Sequence, residues 1–511
     1  MTRPLWLRWL VALGSGLALA PGFAPHDVPL VAWLALAALL WAAHGVRCRA
    51  GFLAGFLHGA AFYSFSLPWI YTVMRVHGHL GPVAAAGVLA LMVAVLSCFP
   101  ALFVAAFAWV AGRNLGPALL VAPFSWVALE FARTHMPHVG FPWNLLGYAV
   151  ADDLALVQIA SFAGIWGVSF LVAAFNAVVA WALLTPSRRA WLAPAAAGAI
   201  LLAAVWFGQS LVPAAEPRRT AHLVQPNFPQ TTSYPADWWQ KHQAALDELE
   251  RVSIASGQKA SGLVIWPETS APFYLDDPGF VSRIARIAGS TGSPVLFGAV
   301  HWRRDPAAGP EPYNSAALAD PSGSLVFRYD KIHLVPFGEY VPLRRWLTFA
   351  KKLTAEVSDF RPGRGYATGR LPGGSFGVFI CYEAIFPGEV RRFVAGGAGL
   401  LVNLSNDGWF GRSAAPEQHL AMARVRAVEN RRWLLRATND GHTVAVDPYG
   451  RYRARLAPDV RAALEAPYDF RTDRTLYTRF GDWFAWLCVA VAAVGLVAGR
   501  RKKQRKQKSR G

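Results

Sequence analysis

Two regimes of hydrophobic patterning divide the chain. Residues 1–212 and 482–499 read as long, nearly unbroken apolar segments, whereas 213–481 alternates short apolar runs with amphipathic stretches. A helix that crosses a bilayer needs about twenty mainly apolar residues. Segments of that kind lie near 5–22, 28–44, 52–73, 82–111, 117–134, 154–184, 190–212 and 482–499. These eight are expected to be spans, seven before the polar region and one after it. Arg3 and Arg8 ahead of the first could mark a signal peptide, but six further apolar segments follow at once, so a retained span is expected.

Between the last two spans the pattern shortens. After the linker Pro213–Arg219, strand-like runs occupy 221–225, 262–266, 294–300, 314–319, 376–381, 400–404, 433–438 and 443–447. Helix-like stretches occupy 236–256, 278–290, 387–396 and 415–432. Such alternation predicts an α/β layer fold, and runs that are apolar throughout suit strands covered on both faces. No internal sequence repeat is visible. The expected domains are 1–212 (transmembrane), 213–481 (extracytoplasmic), 482–499 (a last transmembrane helix) and 500–511 (a basic tail).

Composition supports the membrane reading. The 511 residues are 54% hydrophobic and 16% charged, against about 25% charged in soluble domains. The formal charge of +19 is inflated by Arg500–Arg510, which holds eight Lys and Arg and no acid. Behind an apolar segment such a tail reads as a cytoplasmic anchor rather than a nucleic-acid arm. Arg47 and Arg49, Arg113, and Arg188 and Arg189 fall on the same side if the spans alternate. The opposite loops carry less basic charge. Both termini are therefore expected in the cytoplasm, with 213–481 outside, on the periplasmic side in a bacterium. Glu130, inside the fifth apolar segment, is expected to pair with Arg133 near the interface.

The chain has no G-x-G-x-x-G, Walker loop or H-E-x-x-H, and its histidines lack metal-ligand spacing, so neither a cofactor nor a metal is expected. Of the four cysteines only Cys381 lies in the extracytoplasmic region, where it has no disulfide partner. It is either inert core or reactive chemistry. Three polar residues follow apolar strands, where α/β folds place their chemistry. Glu268 closes Gly262–Trp266 plus Pro267, and is a general base or a turn cap. Lys331, in Tyr329-Asp330-Lys331, could hold an oxyanion or depress a thiol, or sit solvated on the surface. Cys381, after Phe376–Ile380, is placed like a nucleophile on an elbow whose following backbone N–H could serve an oxyanion hole. Base, cation and thiol are what acyl transfer through a thiolate requires.

That order, with WPE at 266–268, YDKIHLVPFGEYVP at 329–342, ICYE at 380–383, NDGWFG at 406–411 and RAVENRR at 426–432, resembles the nitrilase superfamily of carbon–nitrogen hydrolases. The resemblance implies an α-β-β-α sandwich. A domain of that kind between seven spans and one is similar to the apolipoprotein N-acyltransferase family, with no departure at the three catalytic positions. The resemblance implies an inner-membrane enzyme. In it Cys381 takes an acyl chain from the sn-1 ester of a phospholipid and passes it to the α-amino group of a diacylglyceryl-cysteine on an apolipoprotein. Glu268 would be base and acid, and Lys331 with the Tyr382 N–H would hold the oxyanion. Glu339 would orient Lys331 or the amine. Tyr382, Glu383, Trp266, Asn406, Trp409 and Phe410 would shape the pocket. The segment 343–366, with Trp346, Leu347, Phe349, Leu353 and Phe360, reads as a lipid-contacting lid or a packed loop. Trp238 and Trp239 read as a second lipid-contact arm or as helix packing. Two other readings use the same residues: a tethered amidase whose thioester is resolved by water, and a transporter or scaffold with a degenerate domain.

Overall fold

The computed structural model describes residues 4–137, 140–231, 234–259, 262–305, 309–340 and 359–508. Two compact units form: Met1–Tyr71 with Gly81–Val212 and Phe480–Gly511, and Thr72–Leu80 with Pro213–Arg479.

The first unit is helical. A helix stands at each of the eight expected segments, but among the described residues five are long and apolar enough to cross a membrane, or six if a bent pair counts as one. That pair, Cys48–Ser66 and Pro68–Val76, bends by 51°, where Pro68 withholds a backbone N–H and crowds the preceding turn. Pro29–Ala43 and Trp483–Ala498 are shorter apolar helices. The sixth expected segment is also shorter than its apolar run. Its helix begins at Ile165, because Gly164 at φ +66° ends the preceding turn Ala160–Ala163.

Close packing in this unit follows from small residues. Gly51, Gly55 and Gly59 recur every fourth residue, hence on one helix face. A Cβ on Gly55 would lie 2.3 Å from the Pro100 carbonyl oxygen, and one on Gly59 would lie 2.8 Å from Ser97 Cα. Backbones that approach this closely gain dispersion contact, the main attraction between helices in lipid. Buried polar groups are matched to backbone. Asn176 accepts from Ala37 N (2.9 Å) and donates to Ala32 O (2.8 Å). The expected Glu130–Arg133 pair is corrected: Glu130 accepts from Leu146 N at 2.6 Å and Trp126 Nε1 at 3.0 Å, while Arg133 donates to Tyr63 Oη and to Trp143 O.

The second unit is a two-sheet sandwich. Its strands are β1 (Arg219–Gln225), β2 (Leu263–Ile265), β3 (Val295–Asp305), β4 (Gly309–Ala319), β5 (Leu325–Asp330), β6 (Thr368–Leu371), β7 (Gly374–Ile380), β8 (Leu400–Ser405), β9 (Leu434–Thr438), β10 (Val444–Val446), β11 (Tyr452–Arg455) and β12 (Ala462–Tyr468). The sheets run β12-β1-β2-β3-β4-β5 and β11-β10-β9-β8-β7-β6. In each, three parallel strands (β1, β2, β3 and β7, β8, β9) continue into two antiparallel ones. The two halves thus share one topology without a visible sequence repeat. Phe327 on β5 meets Phe376 on β7 with ring centroids 5.2 Å apart, and Thr443 Oγ1 donates to Gln225 Oε1 at 2.7 Å between the sheets.

Helices Gln243–Lys259 and Pro278–Thr291 belong to the first half, Pro387–Ala395 and Ala415–Asn430 to the second. The second of these shows how local sequence sets an element. Asp277 Oδ1 caps Gly279 N at 2.8 Å, Pro278 fills the first turn, and Gly292 at φ +61° stops the helix. Its apolar face (Phe280, Ile284, Ile287, Ala288) packs with Val264, Trp266, Val295 and Phe297 in one buried cluster.

Candidate active site

Strand ends deliver three side chains to one buried place, two from central parallel strands and one from the antiparallel edge strand β5. Glu268 follows β2, Lys331 follows β5 and Cys381 follows β7; they are 6%, 1% and 6% exposed. Lys331 Nζ stands 3.3 Å from Glu268 Oε1 and 3.0 Å from Glu339. Asn314, in the middle of β4, donates to both carboxylates, to Glu268 Oε1 at 2.8 Å and Glu339 Oε1 at 2.7 Å. Asn406 N donates to Glu268 Oε2 at 2.9 Å. Val335 N donates to Glu339 Oε2 at 2.8 Å, tying that carboxylate to the loop that carries Lys331.

Electrostatics follow from burial and these neighbours. Burial pulls the Lys331 ammonium down, but Glu339 and Glu268 outweigh it and hold its pKa up, so it stays charged. Burial pushes the Glu268 carboxyl up; Lys331 opposes this and Glu339 adds to it. Burial also pushes the Cys381 thiol well up, with the charge of Glu268 acting the same way and Lys331 against it. The resting group is therefore a thiol, with the Glu268 carboxyl near enough to act on it electrostatically.

Cys381 has φ +48°, a left-handed backbone that a side chain rarely adopts. The strained residue turns β7 into the short turn Cys381–Ile385, a strand-to-turn elbow. Glu383 secures it. Its Oε2 accepts from Ile380 N at 2.7 Å, and its Oε1 accepts from Tyr329 Oη at 2.7 Å, Ile332 N at 2.8 Å and His333 N at 3.1 Å. One carboxylate thereby joins the cysteine turn to the lysine loop. Burial and then Glu389 push the Glu383 carboxyl up to about 7, against the pull of the donors.

The remaining expected residues divide. Tyr382 packs its ring 5.3 Å from Phe386 and 5.7 Å from His333. Asn406 Nδ2 donates to Gln230 Oε1 at 2.7 Å, Phe410 lies edge-on to His419 at 5.9 Å, and the Trp409 ring is 4.9 Å from His77. Trp266 and Trp238 do not line the site with their rings. Trp266 donates to Ser253 Oγ at 3.0 Å within the buried cluster. Trp238, 5% exposed, stacks on His242 at 4.4 Å and meets Phe228 edge-on. Of the two readings of Trp238 and Trp239, packing is the one the structure shows: both pack on the core. Most of the expected lid, 343–366, lies outside the described residues; Phe360 is described, and its N–H donates to Glu339 O at 3.0 Å.

Sequence reasoning missed Asn314, Gln230, Asp407, His419 and Arg436. Asn314 carried a signal: an amide within the apolar run of β4 has to find partners. The others gain meaning only when β8, β9 and the helix Ala415–Asn430 meet.

Comparison with known proteins identifies the family. Residues 15–178 match the apolipoprotein N-acyltransferase N-terminal domain, and 220–467 match the carbon-nitrogen hydrolase family. A Geobacter metallireducens protein named apolipoprotein N-acyltransferase is 38% identical, over 97% of this chain and 96% of that one. Relatives of the same name from Bradyrhizobium diazoefficiens and Rhodopseudomonas palustris are 35% and 32% identical, over 97% of this chain and 95% and 96% of theirs. A solved amidase from Nesterenkonia sp. is 22% identical with a TM-score of 0.38, covering 53% of this chain and 95% of that chain. On near-full-length identity of this order, the chain belongs to the apolipoprotein N-acyltransferase family and is an acyltransferase.

Proposed function

We propose that this acyltransferase moves an acyl chain from a phospholipid to the N-terminal amine of a diacylglyceryl-modified apolipoprotein through a thioester on Cys381. The observation that carries the reading is the buried set Glu268, Lys331 and Cys381, with a protonated thiol beside a carboxylate and a fixed ammonium.

In the first half-reaction Glu268 takes the Cys381 proton as Sγ bonds to the sn-1 ester carbonyl carbon. The carbonyl oxygen becomes an oxyanion, held by Lys331 and the Tyr382 N–H. Collapse breaks the ester C–O bond, and Glu268 returns the proton to the leaving lysophospholipid oxygen. In the second, the neutral α-amine attacks the thioester and Glu268 removes its extra proton. The C–S bond breaks, the C–N bond remains, and the thiol is regenerated. Glu339 sets the ammonium of Lys331 from the far side, aided by Asn314. Asn406, Trp409 and Phe410 form the wall next to Glu268. The domain works outside the cytoplasmic membrane with both termini in the cytoplasm. Membrane tethering suits the substrates, since exposing an acyl chain to water costs about 0.8 kcal/mol per CH₂.

The test is the intact mass of the purified full chain after incubation with phospholipid, beside Cys381→Ala. Expected is one added acyl mass on the wild type, removed by hydroxylamine, absent from the variant, and discharged by a diacylglyceryl-peptide with a free amine. Lipid turned over to free fatty acid, with no N-acylated peptide, would move the assignment to a hydrolase.

A further inference from the structure

Behind the cysteine elbow lies a buried charged cluster that the reaction scheme leaves unused. His419, on the helix Ala415–Asn430, is fully buried, and its Nε2 stands 3.0 Å from the carbonyl oxygen of Cys381. On the other side of the ring, Nδ1 lies 3.2 Å from Arg436 Nη2 and 3.5 Å from Asp407 Oδ1. Arg436 Nη2 also donates to Asp407, at 2.7 and 2.9 Å to its two oxygens, and Ser405 Oγ donates to Asp407 Oδ1 at 2.9 Å. Arg436 Nη1 donates to Asn403 Oδ1. Asp407, Arg436 and His419 are at most 2% exposed.

A buried ion pair is poor evidence of added stability, because desolvation offsets its attraction. Its geometry here has a consequence for the imidazole. The Cys381 carbonyl can only accept, so Nε2 carries a hydrogen, whichever of Arg436 and Asp407 the Nδ1 engages. His419 therefore donates to the Cys381 carbonyl. That carbonyl and the N–H of Tyr382 belong to one peptide unit. The only cis bond among the described residues is Ala24–Pro25, so this unit is trans and planar, and its C=O and N–H point in opposite directions. A donor fixed on the carbonyl orients the N–H on the opposite edge, and by polarising the peptide makes it a stronger donor.

We propose that His419 is a positioning residue that orients and polarises the Cys381–Tyr382 peptide, so that the Tyr382 N–H serves as the oxyanion donor, with the Asp407–Arg436 pair fixing the imidazole. The inference rests on the reading that Cys381 is acylated and that the Tyr382 N–H faces the oxyanion. It also accounts for the left-handed Cys381: the strained turn is what directs this carbonyl back toward the helix.

The test uses the full chain in lipid nanodiscs and single-turnover acylation followed by intact mass. His419→Met keeps bulk and loses the donor. It is expected to slow thioester formation about tenfold, less than the 10²–10³ lost with a whole oxyanion donor, with the KM for phospholipid within about twofold. His419→Gln places an amide N–H toward the same carbonyl and is expected to keep the rate within about threefold of wild type. With a ¹³C-carbonyl acyl donor, the infrared stretch of the thioester carbonyl is expected at higher wavenumber in His419→Met than in wild type, a readout that packing alone would not move. A wild type that forms no thioester would refute the cysteine reading itself. A wild type that forms it, with His419→Met matching its rate and carbonyl stretch, would overturn this proposal alone. If His419→Met does not fold, the outcome falls to His419→Gln, whose folded form losing the full rate would overturn the proposal.

Discussion

Asn314 Nδ2 reaches two buried carboxylates at once, 2.8 Å from Glu268 and 2.7 Å from Glu339, and these same carboxylates flank Lys331. Two like charges this near would repel, and the amide with the ammonium offsets that repulsion. Asn314→Ala removes the shared donor and leaves two carboxylate oxygens underpartnered, at about 1–3 kcal/mol for such a group. A fall of roughly tenfold to a hundredfold in the rate of thioester formation is expected, with phospholipid KM little changed, as measured in single-turnover acylation. An unchanged rate would mean that Lys331 alone organises the pair. The pH dependence is set by the same groups. In the proposed mechanism Glu268 acts as the carboxylate, and burial holds its pKa above the ordinary 4.5, so activity should fall as the pH drops through a point above 4.5. The thiol is pushed above its ordinary 9.0, so no rise is expected as the pH approaches 9.0. A rate climbing about tenfold per pH unit toward 9.0 would instead point to a preformed thiolate. Glu268 and Cys381 were legible in the chain because each follows an apolar strand, and Lys331 because it sits in the motif Tyr329-Asp330-Lys331. Asn314 left only the trace of an amide inside an apolar run, and His419 left none, because their partners lie elsewhere in the sequence and hydrogen bonding at such range leaves no local pattern.

Elements are joined here by single side chains as much as by sheets. Glu383 takes four donors from three places, β5 (Tyr329), the loop after it (Ile332, His333) and β7 (Ile380). Removing a buried acceptor leaves each donor unsatisfied. Glu383→Ala is therefore expected to lower stability by at least about 3 kcal/mol and to free the lysine loop from the cysteine turn. Amide hydrogen exchange is the direct measurement: Ile332, His333 and Ile380 should exchange faster while Val402 on the adjacent β8 stays protected. Equal acceleration across β8 would show global loosening instead of a local uncoupling. The same scale explains which elements the chain announced. The buried strands β1, β2, β3, β7, β8, β9 and β10 are apolar runs, and all were readable. β5 and β11 lie at sheet edges with exposed and half-exposed positions along them, so their residues are mixed and gave no run to find. β12 reads as Ala462–Tyr468 with only two buried positions, and it was missed for the same reason.

On the scale of the whole molecule, hydropathy locates helices better than it counts spans. Each expected segment holds a helix, yet among the described residues five or six satisfy length and apolarity. A 15-residue helix such as Pro29–Ala43 is about 22 Å long, short of a hydrocarbon core of about 30 Å. It has eight buried residues and takes polar contacts from Asn176, so protein supplies part of its surroundings. Orientation therefore has to be argued from charge. Arg47, Arg49, Arg113, Arg188, Arg189 and the eight basic residues of Arg500–Arg510 fall on one side under eight alternating spans. An odd number of spans would part the two termini and place the tail opposite Arg3 and Arg8. The discriminating experiment is cysteine labelling in intact spheroplasts with a membrane-impermeant maleimide. Ser322→Cys, exposed in the turn between β4 and β5, is expected to react without permeabilisation. Cysteines placed at Thr2 and at Ser509 are expected to react only after it. Labelling of Ser509→Cys but not of the Thr2 cysteine in intact cells would mean that one segment does not cross: Trp483–Ala498 if Ser322→Cys labels as well, and a segment before the sandwich, Pro29–Ala43 first, if it does not. If both termini and Ser322 behave as expected, the sandwich faces the leaflet in which phospholipid donors and lipid-modified acceptors would both be held, and the buried thiol would need no soluble carrier between them.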